Sequence, residues 1–212
     1  MKQTPCQVSR YACRKVAGDL AQWKTSDWQD VSPAEPFILA SGAGIAKHQT
    51  QVKAVWTETA LHIAFWCEDS EPWATMTLRD ESLYEEEVVE LFLAPNGDHT
   101  RYFEFEINPL GALFDAEIRW HHQGSIEVHR EWDCRGLAGT AVIEAGHGWR
   151  AQLTIPFAGL QARPAAGETW AANFYRIERR PVREFSSWSP LFTDPPEYHS
   201  PERFGRLMFT ED

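Results

Sequence analysis

Three consecutive glutamates, Glu85, Glu86 and Glu87, open the apolar part of the segment SLYEEEVVELFLAP (residues 82–95), and a fourth, Glu90, interrupts the run that follows. A carboxylate inside a β-like segment costs free energy unless it faces water or has a partner. Four roles suit it: part of a solvated face, a metal ligand, a catalytic acid or base, or an acceptor for a ligand's donors. Calcium wants clustered oxygen ligands, yet the chain has no D-x-D-x-D-G loop and EEE is not a specific metal spacing. A hydrolase pair needs one carboxyl protonated and one ionised, at a separation that sequence does not measure. The plainest reading is a solvated sheet face with surface ion pairs, each worth about 0–1 kcal/mol.

Other residues invite similar weighing. Trp188 in SSWSP is either a binding platform or an anchor for its loop, and Trp73 in SEPWATM either flanks a cleft or tucks under its own loop. His121-His122 suits a solvated turn better than a metal or haem site, and His199 reads as a surface histidine that lies beside Tyr198. Asn108-Pro109 ends a strand and shapes a turn. FSSWS lacks a nucleophile-elbow pattern, so no hydrolase triad is indicated.

The elements that must position these groups read as strands. In ALHIAFWC, Leu61, Ile63, Phe65 and Cys67 share one face; in YFEFEIN, Phe103, Phe105 and Ile107 oppose Tyr102, Glu104, Glu106 and Asn108. Such period-two alternation marks strands with one buried face. Asn96-Gly97 supplies a turn signal, so residues 88–108 read as an antiparallel hairpin. With Val89, Leu91 and Leu93 inward, Glu90 gathers with Glu104 or Glu106 on the other surface, where like charges repel. Arg176 in NFYRIERR is the expected compensator, because a guanidinium pairs with carboxylates through two parallel hydrogen bonds.

Further strands are expected at 51–57, 60–69, 112–119, 126–130, 138–145, 149–155, 170–178 and 205–209, with one helical turn at 157–161. Many short strands punctuated by Gly and Pro predict an all-β fold, a single antiparallel β-sandwich over residues 1–212. The aromatic, Pro-rich stretch 180–204 reads as a long functional loop. Ten Trp, twelve Phe and five Tyr fit a β-rich core with aromatic surfaces to spare. A net charge of −11 argues against nucleic acid or an anionic membrane as partner. No apolar run approaches the roughly 18 residues of a membrane span. Cys6, Cys13, Cys67 and Cys134 lack CxxC spacing, so reduced thiols in a cytoplasmic protein are expected; a Cys6–Cys13 bridge is the alternative for an exported one.

Several stretches in order, VKAVWTETALHIAFWCED, LYEEEVVELFLAP, YFEFEINPLGALFDA, WRAQLTIPFAGL, WAANFYRIER, SSWSP and PERFGRL, resemble carbohydrate-binding module family 9, in its single-domain branch. The likeness runs from about residue 50 to the C-terminus. It implies a DOMON-like, jelly-roll-type sandwich that binds a small sugar or oligosaccharide without hydrolysing it. The family's two sugar-stacking tryptophans fall on Tyr84 and Tyr198, and its hydroxyl-accepting strand glutamate on Glu90. A basic residue of those sugar binders is Glu106 here, the polar amide position carries Tyr175, and the Asn-containing loop reads DPPE. The resemblance therefore implies a site of Tyr84, Glu90 and Tyr198, with Glu106 and Arg176 as its polar floor. It also implies structural calcium in some members, with ligands that do not match residue by residue, and a separate catalytic partner protein. The competing readings are a glycoside hydrolase using the acidic face and a haem-binding DOMON-like domain. Replacing either tyrosine by alanine is expected to abolish binding and leave melting nearly unchanged.

Overall fold

The computed structural model describes residues 8–18, 24–121 and 125–211. The alternating stretches form β3 (Thr50–Trp56), β4 (Ala60–Cys67), β5 (Val88–Ala94), β6 (Arg101–Ile107), β7 (Leu113–Trp120), β8 (Ile126–His129), β9 (Ala138–Glu144), β10 (Gly148–Pro156), β11 (Thr169–Glu178) and β13 (Gly205–Thr210). The short helix α1 (Phe157–Leu160) follows β10 directly. Three strands were not expected: β1 (Arg10–Lys15), β2 (Ile38–Leu39) and β12 (Glu184–Ser187), the last inside the stretch read as a loop.

Hydrogen bonding runs in the order β8-β7-β6-β5-β11-β13-β1-β3-β4-β10-β9, with β12 beside β11 and β2 beside β12. The sheet is curled, so its two halves face each other as a sandwich. Leu61, Ile63, Phe65, Leu153 and Ile155 of one half share a buried core with Val89, Leu91, Phe103, Phe105 and Phe174 of the other. Phe65 meets Phe174 edge-on at 6.1 Å, one seam of that core. The antiparallel expectation needs one correction: β1 runs parallel to both neighbours, β13 and β3. Tyr11 fixes this insertion, its hydroxyl accepting from the Ala54 N–H at 2.9 Å and reaching the Ser32 carbonyl at 2.8 Å.

The opposite face of β5, β6, β7 and β11 was expected to be solvated, and it is covered instead. Phe92, Tyr102, Phe114 and Tyr175 on that face pack with Leu191 and Phe204 from the stretch after β12 in a second apolar cluster. Trp188 anchors this stretch, fully buried and 5.4 Å from Phe174. A Cβ at Gly205 would stand 2.4 Å from the Trp188 ring, so glycine lets β13 pass beneath it. Cys13, Cys67 and Cys134 are buried free thiols; Cys6, and with it the Cys6–Cys13 alternative, lies outside the described residues, as does His122. Among the described residues no helix is long and apolar enough to cross a membrane.

Candidate functional site

Register builds the site. Glu90 lies directly opposite Glu106 on β6 and Tyr175 on β11, while Glu106 lies opposite Phe114 on β7. One row across four strands therefore reads Phe114, Glu106, Glu90, Tyr175. The adjacent row brings Phe92 opposite Glu104, so the hairpin gathers three glutamates on one surface. One carboxylate oxygen from each of Glu90, Glu104 and Glu106 lies within 4.8 Å of the other two, and all three residues are buried.

This arrangement is electrostatically costly. Burial drives the Glu90 and Glu106 carboxyls well above the ordinary carboxylate range, and repulsion among the three adds to it; burial pushes Glu104 up to about 7. A hydrogen bond between Glu106 and Glu104 raises the first carboxyl and lowers the second, so Glu106 holds the shared proton, while Glu90 Oε1 has no protein hydrogen-bond partner. A buried acceptor left without a donor costs about 1–3 kcal/mol, which is why such a floor suits a ligand that brings donors.

Glu90 and Glu104 line a cleft of about 800 Å³, within the usual range for small-molecule sites, whereas Glu106, expected in the polar floor, is fully buried and lies outside the lining. Tyr84 and Tyr198 both line this cleft. Tyr84 projects from a short 3₁₀ turn, Leu83–Glu85, pinned by buried Leu83; the residue is 36% exposed and its ring stands edge-on to Phe114 at 6.2 Å. Tyr198 lies flat on Tyr175 at 4.2 Å with an interplanar angle of 12°, and Phe185 stands edge-on to it at 6.3 Å. Its hydroxyl donates to the Arg176 carbonyl at 3.0 Å, and the Tyr175 hydroxyl donates to the Tyr198 carbonyl at 3.0 Å. Because Phe114 and Tyr175 are three strand spacings apart, the supports of the two tyrosines stand about 14 Å from each other. The rings therefore flank a floor two strands wide.

Arg176 is not at this site. On β11 it lies opposite Val89, one residue out of phase with Glu90, so it faces between the two halves of the sheet. There it pairs with Asp69 at 3.1 Å, donates to the Glu68 carbonyl at 2.9 Å and bonds Glu178. The cleft's basic groups are Arg130, Arg179 and Arg183. Arg179 was legible: with Tyr175 facing the cleft, period two continues through Ile177 to residue 179. Arg130, in the turn after β8, and Arg183, in an irregular loop, carried no such signal. His199 also lines the cleft; burial lowers its imidazole to about 4, and its Nδ1 meets the Tyr102 hydroxyl at 2.8 Å.

The glutamate run divides its labour. Glu85 is exposed at the cleft rim. Glu86 accepts from the Thr75 N–H at 2.7 Å, the Met76 N–H at 3.2 Å and the Thr75 hydroxyl, closing the loop that precedes the turn. Glu87 accepts from the Trp73 N–H at 2.6 Å and joins Asp69 and Glu178 beside Arg176. Trp73 lies outside the cleft lining, with the Arg180 guanidinium 4.4 Å from its ring. Asn108 shapes its turn as expected, its Oδ1 accepting from the Leu110 and Ala112 N–H groups at 3.0 Å each.

Two other carboxylate clusters bear on calcium: Asp69 with Glu87 and Glu178, and Asp80 with Asp115 and Asp133. An arginine already occupies each. Arg176 pairs with Asp69 and Glu178, and Arg79 pairs with Asp115 and Asp133. A guanidinium among the carboxylates supplies the charge that a calcium ion would bring, so neither cluster fits one.

Comparison with known proteins agrees with this architecture. No curated protein sequence matches the chain. A structure of a Bacteroides uniformis ATCC 8492 protein described as carbohydrate-binding is similar at 20% identity and a TM-score of 0.78, covering 96% of this chain and all of that one. A family 9 carbohydrate-binding module from Caldicellulosiruptor kristjanssonii in complex with glucose is similar at 14% identity and a TM-score of 0.67, covering 96% of each chain. The same organism's module in complex with cellotriose gives 14% identity and a TM-score of 0.68, covering 96% of this chain and 94% of that one. Residues 46–209, which contain every residue of the cleft, match the sequence profile of carbohydrate-binding family 9; the chain belongs to that family.

Proposed function

We propose that this protein binds carbohydrate noncovalently in the cleft between Tyr84 and Tyr198. The observation that carries the reading is the pairing of an aromatic-flanked cleft with two buried carboxyls, Glu90 and Glu104, in its lining. Family membership and the glucose and cellotriose complexes of the similar modules support it. A sugar ring offers apolar C–H faces to the Tyr198 and Tyr84 rings, and its edge carries hydroxyl donors. Those hydroxyls reach Glu90 and Glu104 at the floor, while Arg130 and Arg179 stand at the rim to donate to ring or hydroxyl oxygens. Each hydrogen bond replaces one to water, so each contributes only about 0.5–1.5 kcal/mol net, and the monosaccharide affinity is modest.

Isothermal titration of glucose, cellobiose and cellotriose tests the reading. Saturable binding that Glu90→Gln weakens at least tenfold is the expected result. No heat with any of these sugars, or with a wider glycan panel, overturns it. Hydrolysis of an aryl-glycoside that Glu90→Gln abolishes would move the site from binding to catalysis.

A further inference from the structure

Resting on the reading of this cleft as a sugar site, we propose that His199 contacts the ligand, locked by Tyr102 as the Nε2–H tautomer and donating that N–H to an oxygen of the bound sugar. The Tyr102 hydroxyl fixes the tautomer. Tyr102 lies on β6 and is 0% exposed, and its hydroxyl meets the His199 Nδ1 at 2.8 Å. Among the described residues that nitrogen is the hydroxyl's one hydrogen-bond partner. A buried O–H that donates to nothing costs about 1–3 kcal/mol, so the hydroxyl donates and Nδ1 accepts. A neutral imidazole whose Nδ1 accepts carries its proton on Nε2. Burial holds the ring neutral at pH 7, its ionisation lowered to about 4.

Nε2 is the open edge of the ring. His199 is half-buried and lines the cleft, and among the described residues its Nε2 is neither bonded to a protein acceptor nor fully enclosed. Phe92 lies against the ring, centroids 5.0 Å apart at 37°, while Tyr102 holds the Nδ1 edge. A polar group fixed on these sides loses little freedom when a ligand meets it. The cleft's other donors differ. Arg130 bonds the Tyr84 hydroxyl, and Arg179 donates to the Tyr84 carbonyl at 2.6 Å and the Glu86 carbonyl at 3.3 Å. A protonated Glu90 both gives and takes a hydrogen bond, whereas Nε2–H only gives one. His199 therefore selects a ligand atom that accepts: a ring or glycosidic oxygen, or a hydroxyl oxygen whose own hydrogen points to a carboxyl. Tyr102 acts through His199 and is a positioning residue.

Long-range 1H–15N correlation spectra of the 15N-labelled wild-type chain at pH 7 read the tautomer, with His199→Gln assigning the signal among the eight histidines. A protonated Nε2 and a bare Nδ1 are expected, with the Nε2 resonance moving on saturation with glucose, cellobiose or cellotriose. A proton on Nδ1, or an Nε2 resonance unmoved by a sugar that binds, overturns the proposal and leaves the sugar reading standing. Isothermal titration then separates the two ring edges, with circular dichroism reporting the fold. His199→Gln places its amide near the Nε2 position and should stay within about threefold of wild-type affinity, whereas His199→Asn keeps only an acceptor for Tyr102 and should weaken binding about tenfold or more. A folded His199→Asn that binds like wild type, or a folded His199→Gln that loses as much as His199→Asn, overturns the donor role. Tyr102→Phe should bring up the Nδ1–H tautomer; wild-type signals in that variant overturn the lock. Absence of binding of these sugars and of a wider glycan panel by the wild-type chain overturns both this proposal and the sugar reading.

Discussion

The two tyrosines are equivalent in the proposed binding but not in what they contribute to the fold, and alanine substitution separates the roles. Tyr198 is half-buried, stacked on Tyr175 at 4.2 Å and hydrogen-bonded to the Arg176 carbonyl. A fully buried aromatic truncated to alanine costs about 3–5 kcal/mol, and half of that applies to a half-buried ring. Losing the stack adds about 0.5–1 kcal/mol and losing the hydroxyl about 1 kcal/mol. Tyr198→Ala should therefore cost about 3–4 kcal/mol, which for a chain of this size is a fall in melting temperature of about 6–16 °C. Tyr84 is exposed, with one edge contact to Phe114 and hydroxyl contacts at the surface, so Tyr84→Ala should cost under about 1 kcal/mol and move melting by less than about 4 °C. Both should lose sugar binding. Tyr198→Phe keeps the stack and should melt about 2–4 °C below wild type. Calorimetric melting paired with glucose titration reads both quantities. The expectation of unchanged melting thus survives for Tyr84 and is withdrawn for Tyr198. If Tyr198→Ala melts with the wild type, or Tyr84→Ala falls as far as Tyr198→Ala, the packing argument is wrong.

Arg176→Leu should remove about 3–5 kcal/mol by stranding Asp69 and Glu178, yet leave sugar affinity intact below the melting point; lost affinity at unchanged melting would return Arg176 to the cleft. Burial, with Glu178 and Asp69 nearby, raises Glu87 to about 9, so the folded chain keeps a proton that the unfolded chain releases above the ordinary carboxylate range. That contribution is complete at low pH and is lost as pH rises towards about 9, so Glu87→Gln should flatten the decline in melting temperature between pH 5 and pH 9; an unchanged slope refutes the assignment. Burial opposes ionisation of Glu86, but the Thr75 and Met76 donors outweigh it and hold this carboxyl low. Glu86→Ala should cost about 1–3 kcal/mol and open residues 71–80 to limited proteolysis, whereas resistance equal to wild type would show that the loop is held by other contacts.

How far sequence carried the site turns on strand phase. The alternation in YFEFEIN and the Asn96-Gly97 turn were enough to put Glu90 on the same surface as Glu104 and Glu106, and the register bears this out with Glu90 directly opposite Glu106. The same reasoning misassigned Arg176 because it chose a basic residue by type without carrying phase through β11; Tyr175, Ile177 and Arg179 share the cleft face, and Arg176 cannot. β1 was missed because the charges in RYACRK hide the buried Tyr11 and Cys13 that set its inward face. The covering of the outer face was beyond local patterning altogether. Nothing in β5 or β6 says that Leu191, Tyr198 and Phe204, a hundred residues away, will lie over it. That covering converts an ordinary solvated row of glutamates into a buried one whose carboxyls keep their protons, because they lose water and repel one another. A carboxyl in that state both donates and accepts, so the floor is matched to a ligand whose groups do the same, and sugar hydroxyls are such groups.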